Sequence, residues 1–274
     1  MSAVAAAAPI RTVLVGASGR MGVNILRQWR HFPALQLCGA VASERSAAIG
    51  EDAAAHAGLP SGGIRIGAAL PPLLRDAQLV IDFSTPQAAA ANLAACVAAR
   101  VRLLLGTTGL ARELHAPLAA AADNIALLVA ANTSPGLTLL LELVRRAARA
   151  LPLGYDIEIL EAHHRGKSDA PSGSALALGQ AAAEGRGGIL ENEAVYARHG
   201  RSGARMPGQI GFATLRGGDV VGEHEVLFLG EGERLMLHHS VTDRAVFARG
   251  ALTAAQWLAG KPPGRYAMSD VFSI

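Results

Sequence analysis

The chain has 274 residues, 51% of them hydrophobic and 17% charged, which is enough apolar material for one large core or two ordinary ones. A formal net charge of +3, from 25 Lys and Arg against 22 Asp and Glu, comes with no basic run interleaved with aromatics, so nucleic acid is not the expected partner. Cys38 and Cys96 stand apart without CxxC spacing, which fits a reducing cytoplasm and excludes a disulfide framework.

Taken in chain order, the alanine-rich start through Pro9 lacks the basic opening of a secretory signal and reads as a short disordered extension. No apolar run is long enough to cross a bilayer, so no membrane partner is expected. Ile10–Val15 is expected as a buried strand and residues 19–31 as a helix. Further apolar strands are expected at 35–42, 79–83, 101–105 and 125–130, with helices at 86–99 and 112–122 between them. That alternation predicts a parallel sheet covered on both faces. A long helix over 135–151 leaves this first domain. Residues 155–162 then alternate apolar and acidic side chains, as a strand with one exposed face does. Strands at 194–198, 209–215, 224–229 and 234–239 follow, and they predict a mostly antiparallel mixed sheet. A last helix, 244–259, is expected to pack back on the first domain. The expected division is therefore residues 1–131 with 244–274, and residues 132–243.

The first strand runs into Gly16-Ala17-Ser18-Gly19-Arg20-Met21-Gly22 and then a helix, the context a dinucleotide loop requires. Gly16 allows the tight turn, Gly19 lets backbone approach a pyrophosphate, and Gly22 brings the helix close to the sheet. The spacing is GxxGxxG and not GxGxxG, so a plain strand–helix turn is the competing reading. Two later strand ends favour a ligand: Gly106-Thr107-Thr108-Gly109, and Ala130-Ala131-Asn132-Thr133-Ser134. Ligands of open α/β sheets sit beyond the carboxyl ends of strands. Asp82 to Pro86 is another such end, with a helix N-cap as an equally good reading.

The segment 161–175, EAHHRGKSDAPSGSA, is the most informative in the chain. The only lysines are Lys167 and Lys261, so a lysine beside His163 and His164 is not surface filler. Lysine gives up a proton when its site demands it, which arginine does not, and histidine titrates near neutrality. The helix start just downstream offers backbone N–H groups to an anion. The segment therefore reads as an acid/base pair beside an anion cradle. No third metal ligand stands at a suitable spacing, so no metal is expected. Asp169, Ser172 and Gly173 also suit a helix cap, a role compatible with binding. His199, His238 and His239 read as ordinary surface or sheet residues.

GASGRMG, GTTG, AANTSPG, EAHHRGKSDAPSGSA and RMPGQIGFATLRGGDVVGEHEVLF, in that order, resemble the dihydrodipicolinate reductase family over nearly the whole chain. The resemblance implies an α/β fold, with a Rossmann-type dinucleotide-binding domain and an α+β substrate domain, in a cytoplasmic homotetramer of lysine and diaminopimelate biosynthesis. It implies reduction of a cyclic dicarboxylate by NADPH and/or NADH, with closure of the two domains. Carried over by position, Gly16, Ala17, Ser18, Gly19, Arg20 and Met21 would hold the pyrophosphate. Gly106, Thr107 and Thr108, with Ala130, Ala131, Asn132 and Thr133, would flank the nicotinamide. His163 would be the acid/base residue and Lys167 the proton donor, while His164, Gly173 and Ser174 would bind substrate carboxylates.

Three departures are visible. The family often has an aromatic where Thr133 stands, and Ser174 replaces a common threonine. Ala42 stands where many relatives carry an acid at the end of the second strand. Without that acid, Ser43 and Arg45 are candidates to meet a 2′-phosphate, unless Arg45 merely pairs with Glu44 or Glu51. Two other functions remain open at this point: a different two-domain nicotinamide-dependent oxidoreductase, or a nucleotide sensor without catalysis.

Overall fold

The computed structural model describes residues 8–274; the alanine-rich start lies almost wholly outside them. The chain divides into two compact units, one holding the chain to Thr133 together with Ala245–Ser273, the other Ser134–Arg244.

The first unit is built on β1 (Ile10–Val15), α1 (Arg20–Gln28), β2 (Leu35–Val41), α2 (Ala53–His56), β3 (Ile66–Gly67), β4 (Leu79–Asp82), α3 (Pro86–Ala99), β5 (Arg102–Leu105), α4 (His115–Ala121) and β6 (Ala126–Val129). The second unit holds α5 (Pro135–Ala150), β7 (Asp156–His163), α6 (Gly173–Arg186), α7 (Leu190–Glu193), β8 (Ala194–Val195), β9 (Ile210–Arg216), β10 (Gly222–Leu229) and β11 (Arg234–Val241). α8 (Ala245–Leu258), β12 (Gly264–Tyr266) and α9 (Met268–Phe272) return to the first unit.

The first sheet runs β12-β6-β5-β4-β1-β2-β3, and its pairings are all parallel. Successive residues of a strand face opposite sides, and the core divides accordingly. Leu14, Ile81, Leu104 and Leu128 pack under α1 and α8, whereas Val13, Val80, Leu103 and Leu127 pack under α3 and α4. The alanines of α8, among them Ala248, Ala251 and Ala255, are fully buried and let this helix lie close to the sheet. Cys96 sits in the α3 face, where burial pushes its thiol up to about 12, so it is packing material and not a nucleophile. After β3 the chain crosses to the other side of β1 and continues with β4. The strand order therefore reverses between β1 and β4, the place where such sheets open a crevice at their carboxyl ends.

The second sheet runs β11-β10-β7-β9-β8 and corrects the expectation of a mostly antiparallel one. β10 pairs antiparallel with β7 and β11, but β7–β9 and β8–β9 are parallel. The reason is connectivity. α6 carries the chain back along β7, so the next strands enter in the β7 direction, and the segment 196–209 does the same between β8 and β9. Strands adjacent in sequence need not be hairpins when the loop between them is this long. α5 and α6 cover the inner face, burying Leu140, Val144, Leu178 and Ala182 against Ile157, Ile159, Val226 and Phe228.

Gly185 sits where those two helices touch: a Cβ there would lie 2.4 Å from the Arg145 carbonyl oxygen and 2.8 Å from the Ala148 Cβ. Helix propensity favours alanine over glycine by about 1 kcal/mol, but overpacking against a backbone carbonyl costs about 1–3 kcal/mol. Gly185→Ala is therefore expected to destabilise the protein, read as a lower urea midpoint; a higher midpoint would show that α5 and α6 do not approach as described.

Candidate active site

The glycine loop takes the shape its spacing anticipates. Gly16 has φ +81°, and a Cβ on it would sit 2.3 Å from the Phe83 carbonyl oxygen. A Cβ on Gly22 would sit 2.2 Å from the Gly16 carbonyl oxygen, so only glycine lets α1 start this close to the loop. Gly19 is the N-cap of α1 and provides no side-chain cap. The Gly16 and Ala17 amides donate to the Val41 carbonyl, which ties the loop to β2. Ser18 and Ser46 meet hydroxyl to hydroxyl at 3.1 Å, linking it to the segment after β2.

A cleft of about 390 Å³ lies over these strand ends, lined by Gly19, Arg20 and Met21, by Gly106, Thr107 and Thr108, and by Ala131, Asn132 and Thr133. These are the three loops singled out in the sequence. Gly16, Ala17, Ser18 and Ala130 do not line it: they form the support beneath. Ser43 and Arg45 are exposed beyond the end of β2. Among the described residues Arg45 has no ion-pair partner, and Glu51 binds His56 instead at 2.7 Å. Phe83 and Ser84, from the strand end at 82–86, and Phe247, which was not anticipated, complete the cleft. Phe83 packs against Gly106, whose Cβ would meet its ring at 2.3 Å. Thr133 is buried and donates to the Phe247 carbonyl at 2.7 Å, so the first turn of α8 brings an aromatic ring to the wall that Thr133 leaves without one. The fully buried Asp82 does not cap α3. It accepts from the Ser84 amide at 2.8 Å, Asn92 Nδ2 at 2.9 Å and Thr107 Oγ1 at 3.4 Å, and so holds two cleft-lining loops.

The second unit assembles the 161–175 segment around Glu161, which is only 1% exposed. Glu161 and His163 are two apart on β7 and share a face. Their side chains meet at 2.5 Å through His163 Nδ1. Arg216, paired with His163 in register on β9, donates to both Glu161 oxygens at 2.8 Å. The Ser172 amide donates to the same carboxylate at 3.0 Å. Burial by itself would raise the Glu161 carboxyl, but these donors outweigh it and hold it below the ordinary carboxylate range. Burial lowers His163, with Lys167 and Arg216 adding to that effect against the Glu161 contact, so the neutral ring is favoured. Its Nε2 stands beside Gly222, where a Cβ would come within 3.2 Å.

Ser172 is the N-cap of α6, its hydroxyl accepting from the Ala175 amide at 3.1 Å and meeting His224 Nε2 at 3.1 Å. Gly173 and Ser174 form the first turn of the helix, where amides have no acceptor within the helix itself. A Cβ on Gly173 would meet nothing within 4 Å, so the helix start is open on that side. Lys167 pairs with Asp169 at 2.7 Å, and Arg216 also holds the Asp169 carbonyl at 2.6 Å. His164 lies just past β7, partly buried beside Gly166. The structure thus brings His163 and the α6 cap residue Ser172 to one carboxylate, with Lys167 linked to it through Asp169 and Arg216 and with Gly173 and Ser174 following the cap. No group of three or more metal-ligating side chains occurs among the described residues. The arrangement offers a neutral imidazole, a cationic amine and a helix N-terminus, which suits proton transfer on an anionic ligand.

Glu161, Arg216 and His224, which join this network, were given no part in it by the sequence. An acid two positions before a histidine on a strand is a readable signal for Glu161; nothing local marks Arg216 or His224.

The family described as "Dihydrodipicolinate reductase, N-terminus" matches residues 10–133, and "Dihydrodipicolinate reductase, C-terminus" matches residues 136–272. A 4-hydroxy-tetrahydrodipicolinate reductase of Anaeromyxobacter dehalogenans is 48% identical over 96% of this chain and 98% of its own length. One from Rhodopseudomonas palustris is 43% identical over 97% and 98%. Among solved structures, the dipicolinate-bound dihydrodipicolinate reductase of Paenisporosarcina sp. TG-14 superposes with a TM-score of 0.75 at 23% identity, covering 94% of this chain and 97% of that one. An amine dehydrogenase from Mycobacterium smegmatis shares the fold at a TM-score of 0.64 and 15% identity, over 94% and 95%.

His224, 4% exposed, has its pKa lowered from 6.5 to about 4, chiefly by burial and then by repulsion from His163 once that ring is protonated. The unfolded ring takes up its proton near 6.5 and the folded one only near 4. The stability present above pH 6.5 is therefore lost as pH falls towards 4, by about 3 kcal/mol. Urea midpoints between pH 7.5 and 4.5 should decline less steeply for His224→Gln than for the unaltered chain; identical slopes would contradict the buried neutral ring.

Proposed function

The chain belongs to the dihydrodipicolinate reductase family, and from that premise we infer its reaction. It reduces 4-hydroxy-tetrahydrodipicolinate to tetrahydrodipicolinate with loss of water, using NADH or NADPH, in lysine and diaminopimelate biosynthesis. The observation that carries the reading at the level of the site is the convergence of His163, Lys167 and the first turn of α6 on the Glu161 network.

The cleft of the first unit suits a dinucleotide, because it lies over the carboxyl ends of parallel strands where the strand order reverses and has Gly19, at the start of α1, on its wall. Gly19, Arg20 and Met21 would hold the pyrophosphate at the start of α1, and Thr107, Thr108, Asn132 and Thr133 would flank the nicotinamide. When bound, the nicotinamide supplies a hydride. Ala42 at the end of β2 presents no acid to repel a 2′-phosphate, and Arg45 is exposed nearby, which supports use of both cofactors.

The substrate side has two tasks. The first is to seat two carboxylates; we assign it to the Gly173–Ser174 turn, His164 and the Lys167 ammonium. The second is to move protons. Loss of the 4-hydroxyl as water removes a ring proton and protonates the leaving oxygen, and the negative charge that hydride delivery leaves on the ring must then meet a proton. His163, neutral and bonded through Nδ1, has Nε2 to accept one; Lys167 has one to donate. The dipicolinate-bound relative supports a flat ring dicarboxylate as the ligand class. A homotetramer joined through the second sheet is supported by exposed Leu215, Leu235 and Met236 on β9 and β11. A cytoplasmic setting agrees with the two unpaired cysteines and with the absence, among described residues, of a helix long and apolar enough to cross a membrane.

The test is reduction of freshly generated substrate, followed by nicotinamide absorbance with each reduced cofactor. His163→Gln and Lys167→Ala are each expected to lower kcat on the order of a hundredfold, with cofactor Kd little changed. Near-normal turnover in both variants would overturn the roles assigned to them.

A further inference from the structure

We propose that Glu161 is the positioning residue of this reaction, a reading that rests on the function just assigned: its buried carboxylate fixes the His163 ring with the proton on Nδ1 and ties that ring to the first turn of α6.

Both oxygens of Glu161 are occupied. Oε2 takes His163 Nδ1 at 2.5 Å and Arg216 Nη1 at 2.8 Å. Oε1 takes Arg216 Nη2 at 2.8 Å, the Ser172 amide at 3.0 Å and Thr214 Oγ1 at 3.3 Å. An ionised carboxylate only accepts, so the nitrogen that faces it must carry the hydrogen. That selects Nδ1–H and leaves Nε2, beside Gly222, as the nitrogen that exchanges protons.

The same side chain reaches two elements that must keep register in the reaction. His163 ends β7, and Ser172 caps the helix whose first turn is the proposed carboxylate seat. A carboxylate bonded to both makes the distance between the proton-handling ring and that seat a property of one rigid group. Arg216 extends the clamp, because Nη2 also holds the Asp169 carbonyl, and Asp169 holds Lys167. A buried acid kept only for stability is weakly justified, since apolar side chains of similar volume commonly fill such a position with no loss. An acid whose acceptors meet the acid/base ring and the helix cap has a reason to be there.

The titratable and charged groups around the His163 ring are Glu161 on its own strand, Lys167 and Asp169 in the following loop, Arg216 on β9 and His224 on β10. Glu161 is the only acid bonded to the ring among the described residues, so its removal should make the imidazolium harder to form. A glutamine there also reverses the bond: with Arg216 held on its carbonyl, its amide N–H faces Nδ1 and favours the Nε2–H form.

The experiment is nitrogen-15 NMR of the full chain labelled in histidine, with His163→Gln used for assignment, together with steady-state kinetics of Glu161→Gln and Glu161→Asp. The unaltered chain should show His163 as Nδ1–H, and Glu161→Gln should convert it to Nε2–H or a mixture. Glu161→Gln should lose at least tenfold in kcat at unchanged KM for the cofactor, and the limb of its pH–rate profile due to His163 should move to lower pH. Glu161→Asp, which keeps an acceptor, should keep Nδ1–H and recover part of kcat. Should Glu161→Gln fail to fold, Glu161→Asp decides: a kcat below the unaltered value supports the proposal, and an unchanged one overturns it. An Nε2–H ring in the unaltered, active chain, or Glu161→Gln with normal kcat and an unmoved profile, overturns it as well. No turnover by an unaltered chain that holds Nδ1–H would instead refute the assigned reaction, so the two failures are told apart.

Discussion

A carboxylate that is almost wholly buried must have its charge matched, and at Glu161 that requirement organises the second unit. Arg216 on β9 supplies the opposite charge, and the backbone amide at the cap of α6 supplies a further donor. Meeting them fixes where β9 runs beside β7 and where α6 begins. The parallel pairing of β7 with β9, unusual beside the antiparallel pairs on the other edge, is what brings Arg216 opposite His163. The neutral His224 lies opposite Glu161 on β10 and braces the same cap through Ser172. The chemistry proposed for His163 depends on that frame directly, through its Nδ1 contact, and that for Lys167 indirectly, because its partner Asp169 is held at its carbonyl by Arg216.

The first unit obeys a different constraint, steric and not electrostatic. Three glycines leave out the atoms that would block the loop, the start of α1 and the Phe83 ring. The reversal of strand order between β1 and β4 then opens the crevice. Asp82 has a part here comparable to that of Glu161 in the other unit: it is buried, and it accepts from residues in two of the loops that border the cleft. In both units a buried acid lies behind the residues assigned to ligands, where it shapes the site without being exposed in it.

Much of this was legible in the sequence. β1 and α3 have the bounds their apolar pattern suggests, and the glycine loop, the GTTG turn and the Asn132–Thr133 strand end do share one cleft. What was not legible has physical reasons. β3 and β12 are two and three residues long, too short to show a period. The parallel entry of β8 and β9 depends on how 196–209 runs, which no local pattern encodes. Arg216, His224 and Phe247 reach their sites through long-range pairing: Arg216 is more than fifty positions from the carboxylate it binds, and Phe247 enters from a helix that returns after the whole second unit. Position-by-position reading finds residues that are unusual where they stand, such as Lys167; it does not find an arginine among many.

The segment from Glu161 to Ser174 is proposed to seat a ring dicarboxylate, with Lys167 as part of the seat. Calorimetric titration of pyridine-2,6-dicarboxylate into the unaltered chain and into Lys167→Ala tests it most directly, paired with inhibition kinetics against substrate and against cofactor. Binding is expected to be saturable, to compete with substrate and to weaken at least tenfold in Lys167→Ala, since a charge-assisted hydrogen bond is lost. Equal affinity for both proteins, or competition with the cofactor in place of the substrate, would contradict it.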